Sequence, residues 1–209
     1  TFAAMVYRLD VYVGQVVAKL KELGLYNNTL IVFTSDNGPH KEGGADPEFF
    51  NGNGIYRGHK RDLYEGGIRV PFIAVWPGAI ESGKETSFMC SFWDMMPTFA
   101  QITGEKATNS DGFSILPTLT GKGKQQAHEY LYFEFQEEGG KQGIRQGDWK
   151  LIRFQVNKGD NSYYELYNLA ADPQEIHNVA AIHPEKVASM KKLMLEAHVN
   201  DPNWPLYER

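Results

Sequence analysis

Phe2, Met5, Val6, Leu9, Val13, Val16, Leu20 and Leu23 recur three and four positions apart. That is the period of one face of an α-helix, and it predicts a helix from Phe2 to Leu23 stopped by Gly24. Thr1 already falls inside the pattern, so the helix is expected to be under way at the first residue and the chain to be a piece of a longer protein. After a turn at Asn27-Asn28, the run Thr29-Leu-Ile-Val-Phe-Thr34 is apolar and rich in β-branched residues, the pattern of a strand buried on both faces of a sheet. Val70 to Trp76 is a second run of this kind, closed by Pro77-Gly78. Residues 35–67 between them show no period and many Gly, Asn and charged positions. A compact domain rarely leaves so long a stretch irregular unless it is functional.

Asp94 stands where an N-cap would open a helix through Met95, Phe99 and Ile102, with Pro97 tolerated in the first turn. Residues 104–126 are poor in apolar positions and rich in Gly, Thr, Lys and Asn, which suggests a boundary. Beyond it the period changes. Tyr130–Phe135, Gly143–Arg145, Trp149–Phe154 and Tyr163–Leu169 read as short strands, with turns at Gly147-Asp148 and over 158–161. Pro184 opens a last helix whose Val187, Met190, Leu193 and Met194 form a stripe able to cover one face of that sheet. The predicted class is α/β: residues 1–104 give the end of a large mixed sheet flanked by helices, 105–126 link, and 127–209 form a smaller antiparallel sheet packed by the C-terminal helix.

The 209 residues carry 21 Lys and Arg against 26 Asp and Glu, a net charge of -5. That excludes a general polyanion-binding surface, so no nucleic-acid partner is expected and any anion site must be local. No apolar run is long enough to span a bilayer, and no membrane partner is expected. Cys90 is the only cysteine, which excludes an intrachain disulfide and a multi-cysteine zinc site. Between Met89 and Phe92 it reads as a packed thiol rather than a reactive one.

Candidate chemistry begins directly after the first strand, at Thr34-Ser-Asp-Asn-Gly38, because α/β sheets place ligands at the carboxyl ends of their strands. Asp36 and Asn37 offer two hard oxygens suited to Ca²⁺ or Mg²⁺; read more plainly, Asp-Asn-Gly is a turn. His40 is close enough to share a pocket and serve as donor, acid or base, or else it is a solvated loop residue. Arg57-Gly-His-Lys-Arg61 packs four basic residues into five positions, followed by Tyr64-Glu-Gly-Gly-Ile-Arg69. Positive charge beside a carboxylate metal ligand is what a metal-bridged sulfate or phosphate needs; the alternative is a solvated basic loop.

Taken together, Ala4-Met-Val-Tyr-Arg-Leu-Asp10, Ser35-Asp-Asn-Gly38 and Arg57-Gly-His-Lys-Arg-Asp-Leu-Tyr-Glu-Gly-Gly67 resemble the type I, formylglycine-dependent sulfatases of the alkaline phosphatase superfamily. Phe92-Trp-Asp-Met-Met-Pro-Thr98, Gly147-Asp-Trp-Lys-Leu-Ile152, Glu165-Leu-Tyr-Asn-Leu169, Asp172-Pro and Asn178 look like that family's later landmarks. The resemblance implies sulfate-ester hydrolysis on a sulfated carbohydrate or aryl sulfate, with Asp36 and Asn37 as Ca²⁺ ligands (Mg²⁺ as the alternative). It implies Lys60 at the sulfate, His40 near the sulfate or its leaving group, and Arg57 with them in binding substrate. It also implies a periplasmic or secreted protein, or a lysosomal one in a eukaryote. The family's nucleophile arises from Cys or Ser in a Cys/Ser-x-Pro/Ala-x-Arg motif, and no such motif occurs in these 209 residues. The chain is therefore expected to be the C-terminal part, inactive alone, with its missing N-terminal part as partner. A phosphate or phosphonate ester hydrolase of the same superfamily and a non-catalytic glycan-binding module are the competing readings.

Overall fold

A computed structural model describes residues 2–206. In chain order the elements are α1 (Phe2–Glu22), β1 (Ile31–Thr34), the single turns α2 (Pro47–Phe50) and α3 (Glu65–Ile68), β2 (Phe72–Val75), α4 (Met95–Thr103) and α5 (Leu116–Thr120). Four strands follow, β3 (Leu131–Phe135), β4 (Lys141–Gln146), β5 (Trp149–Phe154) and β6 (Tyr163–Asn168), and then α6 (Pro184–Ala197). The expectation for Thr1 lies outside the described residues. No described helix is long and apolar enough to cross a membrane.

The chain forms two compact units, residues 1–34 with 71–128 and residues 35–70 with 129–209. In the first, β1 and β2 pair antiparallel from Ile31↔Val75 to Thr34↔Phe72. Gly24 takes φ +68, the left-handed conformation that ends α1 where the sequence places the stop. The expectation that both strands are buried on two faces is corrected: Ile73 is 55% exposed and Phe33, Phe72 and Val75 are over a third exposed. Likewise α1 has no buried residue, and a 370 Å³ apolar groove runs between it and the strands, lined by Val6, Leu9, Val13, Ile31 and Phe33 among others.

Asp94 stands at the N-cap position of α4, as expected, but its side chain caps no amide of that helix. A 3-10 turn, Phe92–Asp94, precedes α4 and has Ser91 as its N-cap; Asp94 answers it, its carboxylate accepting from Ser91 N–H at 2.8 Å. Its other oxygen takes the Phe113 amide at 2.8 Å and lies 2.7 Å from His128 Nε2. Thr98 continues this polar scaffold, donating to the Asp94 carbonyl and accepting from Ile115 N–H.

The second unit is a meander in the order β3-β4-β5-β6, antiparallel throughout. Strand alternation sends Ile144, Leu151 and Leu166 to one face, where Met190 and Met194 of α6 close a fully desolvated cluster. Burying a methionine of this kind is worth about 1.5–3 kcal/mol. Ile152, Phe154 and Tyr167 form a core with Leu63 and Tyr64, and a side chain at Gly143 would meet Leu63 at 3.3 Å. So residues 35–70, which the sequence reading assigns to the 1–104 segment, pack with the later sheet. The start of β4 also differs: Lys141 and Gln142 pair with β3 and β5 despite their polarity, because the Lys141 ammonium is 3.1 Å from the Arg61 carbonyl and 3.4 Å from Asp62.

Candidate functional site

Both loops singled out by the sequence lie in the second unit, and backbone hydrogen bonds bring them together. Gly38 N–H donates to the Gly67 carbonyl at 2.8 Å, and Lys60 N–H donates to the Pro39 carbonyl at 2.8 Å. The approach is close because three glycines permit it. A Cβ on Gly38 would stand 1.8 Å from the Gly66 carbonyl oxygen, and Cβ atoms on Gly66 and Gly67 would lie 2.2–2.5 Å from the carbonyls of Arg57, Gly58, His59 and Asp62. The pair Gly66-Gly67 is thus a packing requirement, not a hinge.

Asp36 is exposed, and among the described residues its side chain and that of Asn37 make no hydrogen bond or ion pair, while Ser35 Oγ donates to the Asn37 carbonyl at 3.0 Å. Two uncommitted hard oxygens at the end of a strand fit an oxygen-seeking cation such as Ca²⁺ or Mg²⁺ in kind. They fall short in number, and no group of three or more His, Cys, Asp or Glu among the described residues could hold a metal ion.

Lys60 keeps its ammonium 3.6 Å from Glu42, at 37% side-chain exposure. Glu42 also pairs with Arg61, whose guanidinium reaches Glu137 at 2.9 Å. Arg61, then Lys60, holds the Glu42 carboxyl below its ordinary range. His40 accepts the Glu42 amide on Nδ1 at 3.1 Å, so a neutral His40 carries its proton on Nε2. Arg57 is placed differently: Nη1 donates to the Tyr167 hydroxyl at 3.1 Å and to the Glu175 carbonyl at 2.9 Å, and the guanidinium lies 4.0 Å over the Tyr64 ring. The Tyr64 and Tyr167 hydroxyls both donate to Glu165, and burial followed by that carboxylate pushes both phenols far above their ordinary range.

Beneath the loops lies a charge cluster without a role in the sequence reading. Glu65 opens α3 at 1% exposure and meets Lys150 at 3.1 Å and Arg145 at 3.2 Å. The Lys150 ammonium also lies 2.9 Å from Glu175 Oε1, while Glu175 Oε2 accepts the Glu65 amide at 2.6 Å. Burial pushes both carboxyls up. For Glu65 the cations outweigh it and the pKa falls; for Glu175 burial wins and the pKa rises. The available sequence signal was a lysine on the inward face of β5, in register with Ile152 and Phe154. Cys90 is partly buried, and burial followed by Asp94 raises its thiol pKa, which keeps it protonated and inert.

Residues 1–105 match the sulfatase family, and residues 54–200 match the C-terminal family of N-sulphoglucosamine sulphohydrolase. An N-acetylgalactosamine-6-O-sulfatase of Bacteroides thetaiotaomicron is 32% identical over 91% of the chain and 40% of its own length. Steryl-sulfatase of Rattus norvegicus is 44% identical over 61% of the chain and 23% of its own length. A solved structure in complex with its substrate D-glucosamine-2-N,6-O-disulfate superposes with a TM-score of 0.72 at 30% identity, covering 91% of the chain and 38% of that one. The chain therefore spans well under half the length of these relatives. With two family matches that together run from residue 1 to 200, the chain belongs to the sulfatase family and corresponds to its C-terminal portion.

Proposed function

We propose that the protein hydrolyses sulfate esters of carbohydrates and that this chain supplies one side of the active site. The supporting observation is the backbone pairing that holds the loop of Asp36 and Asn37, whose side-chain oxygens are uncommitted, against the segment carrying Lys60, in a chain of this family. Asp36 and Asn37 would hold a Ca²⁺ ion (Mg²⁺ as the alternative) whose remaining ligands, with the formylglycine nucleophile, come from the N-terminal part of the same protein. When bound, the cation neutralises charge on the sulfuryl oxygens and the formylglycine hydrate supplies the attacking oxygen. Lys60 holds a further sulfuryl oxygen, and the Glu42 carboxylate can stay with Arg61 when the ammonium turns to substrate. His40 presents its Nε2 proton to the departing sugar oxygen, because Nδ1 is occupied by the Glu42 amide. Arg57, in contact with Tyr167 and Glu175, acts by shaping the Lys60 loop.

The carbohydrate assignment rests on coverage: the relative named for N-acetylgalactosamine 6-sulfate aligns with 91% of the chain, whereas the steryl-sulfatase match covers 61%. The N-terminal part would also cover the exposed apolar face of α1, β1 and β2, and family habit places the protein in the periplasm, outside the cell or in a lysosome. The test is sulfate release by the intact protein from N-acetylgalactosamine 6-sulfate and 4-nitrophenyl sulfate, with and without chelator, beside matched phosphate and phosphonate esters. Chelator-sensitive sulfate release supports the reading; preference for the phosphorus esters, or none for any ester, sinks it.

A further inference from the structure

The charges under the loops are removed from solvent, where an ionised group is costly to hold. Lys150 and Glu65 are each 1% exposed and Glu175 is fully buried. Here Glu175 Oε1 is held by charge alone, 2.9 Å from the Lys150 ammonium but without an aligned hydrogen bond, and breaking such a group costs more than it contributes intact. Glu175 adds a second cost, since it holds φ +55, a left-handed conformation unfavourable for a residue with a side chain. Costs of this kind persist where the surroundings fix one geometry, and what is fixed here can be followed atom by atom.

Glu175 Oε2 accepts the first amide of α3, Glu65 N–H, and Lys150 joins the Glu65 and Glu175 carboxylates. The next residue, Gly66, donates to the Arg57 carbonyl at 2.7 Å, and its own carbonyl is the surface against which Gly38 lies. Gly67 then accepts from Gly38. The Glu175 carbonyl meanwhile takes Arg57 Nη1 at the start of the Lys60 loop. One residue thus touches the segment 57–67 at Arg57 and at Glu65, and that segment in turn seats the Asp36-Asn37 loop.

We propose that Glu175 and Lys150 are positioning residues: they set the height of α3 and through it the spacing between Lys60 and the Asp36-Asn37 pair. The catalytic meaning rests on the functional reading above, but the coupling itself is a property of the fold and has its own readout. Neither residue touches substrate, so their substitution acts through backbone placement, where a 1 Å error is enough to cost about 100-fold in rate.

The experiment compares Glu175→Ala, Glu175→Asp, Glu175→Gln and Met190→Ala in the intact protein by hydrogen exchange of the segments 35–42 and 57–67. Glu175→Asp keeps the charge but withdraws the carboxylate from the Glu65 amide, and it serves if Glu175→Ala does not fold. Glu175→Gln can still accept that amide. Met190→Ala weakens the core on the opposite face of the same sheet. The expected result is exchange about tenfold faster in both segments for Ala or Asp, near wild-type exchange for Gln, and no selective change for Met190→Ala. Unchanged exchange in Glu175→Asp, or equal acceleration in Met190→Ala, overturns the proposal. Sulfate release from 4-nitrophenyl sulfate is followed in parallel, with kcat/KM expected to fall 10- to 100-fold in Ala or Asp and to recover in Gln. A wild-type protein that releases no sulfate sinks the functional reading, while the exchange comparison still decides the coupling.

Discussion

Gly38→Ala tests most directly whether the two loops must touch. Its Cβ would arrive 1.8 Å from the Gly66 carbonyl oxygen, 2.9 Å from the Gly66 carbonyl carbon and 3.0 Å from Gly67 Cα. All three are backbone atoms, so no side chain can swing aside. Ordinary contact begins near 3.4 Å, and restoring it moves one strand of backbone by roughly 1.5 Å, enough to break the Gly38 to Gly67 hydrogen bond. Overpacking of this kind costs about 1–3 kcal/mol, and the lost bond about 0.5–1.5 more. The intact protein should remain folded with a lowered melting temperature. Activity should suffer far more, because a displacement above 1 Å between the Asp36-Asn37 loop and Lys60 predicts a loss on the order of 100-fold in kcat/KM. The assay is initial-rate hydrolysis of 4-nitrophenyl sulfate by wild type and variant at a temperature where circular dichroism shows both folded. A folded Gly38→Ala protein within twofold of wild type would refute the reasoning, since the loops would then tolerate separation.

Four further outcomes follow from the same geometry. Lys60→Ala should lower kcat/KM about 100- to 1000-fold with little change in thermal stability, the scale for removing one preorganised charge stabiliser, and a near wild-type rate would remove Lys60 from the sulfate. Asp36→Ala should abolish both chelator-sensitive turnover and calorimetric Ca²⁺ binding in the intact protein, because one neutral amide is a poor substitute for a carboxylate ligand; retained binding counts against the assignment. Burial gives Glu175 a folded pKa above the ordinary 4.5, so wild type loses stability as the pH rises from that ordinary value through the folded one, and Glu175→Gln, which cannot ionise, should gain relative to wild type as the pH climbs above 4.5 in unfolding scans; a gain towards low pH instead would reverse the sign. The 209-residue chain alone should release no sulfate from an aryl sulfate, since Ser91-Phe-Trp-Asp94 after Cys90 lacks the Pro or Ala and the Arg that conversion to formylglycine requires; turnover eliminated by Cys90→Ser is the contrary result.

How far the sequence reveals such a protein depends on whether the signal is local. The helix period of α1 and α6, the turns at Gly24 and Pro184 and the β-branched runs are local, and the structure places those elements within a residue or two. Asp36, Asn37, His40 and Lys60 stood out as candidates because hard oxygens and clustered cations are conspicuous against an acidic chain. Arg57 looked alike in sequence to its basic neighbours, and only the fold shows it facing Tyr64 and Tyr167. Lys141, Lys150 and Glu175 were illegible for the opposite reason. Their partners lie up to 110 positions away, and a buried charge has no periodic signature until its counter-charge is known. Burial shows the same limit from the other side: the apolar runs of β1 and β2 correctly signal strands, but the pattern of a chain cannot say what covers them.

The two kinds of illegible feature separate the units by what each needs. The later unit closes its core with its own residues, Met190 and Met194 on one sheet face and Leu63 and Tyr64 on the other. Its inward charges are compensated within the same unit, by Glu65, Glu175, Lys150 and Arg145. The earlier unit buries a polar scaffold around Asp94 and Thr98 yet leaves the apolar face of α1 and both strands uncovered. Exposed apolar surface of that extent is costly in water at about 25 cal/mol per Å². The site loops belong to the self-sufficient unit. Their geometry is therefore set by Glu175, Lys150 and the glycine contacts rather than by whatever covers α1, and that is why substitutions at Gly38 and Glu175 should register at the site before they register as unfolding.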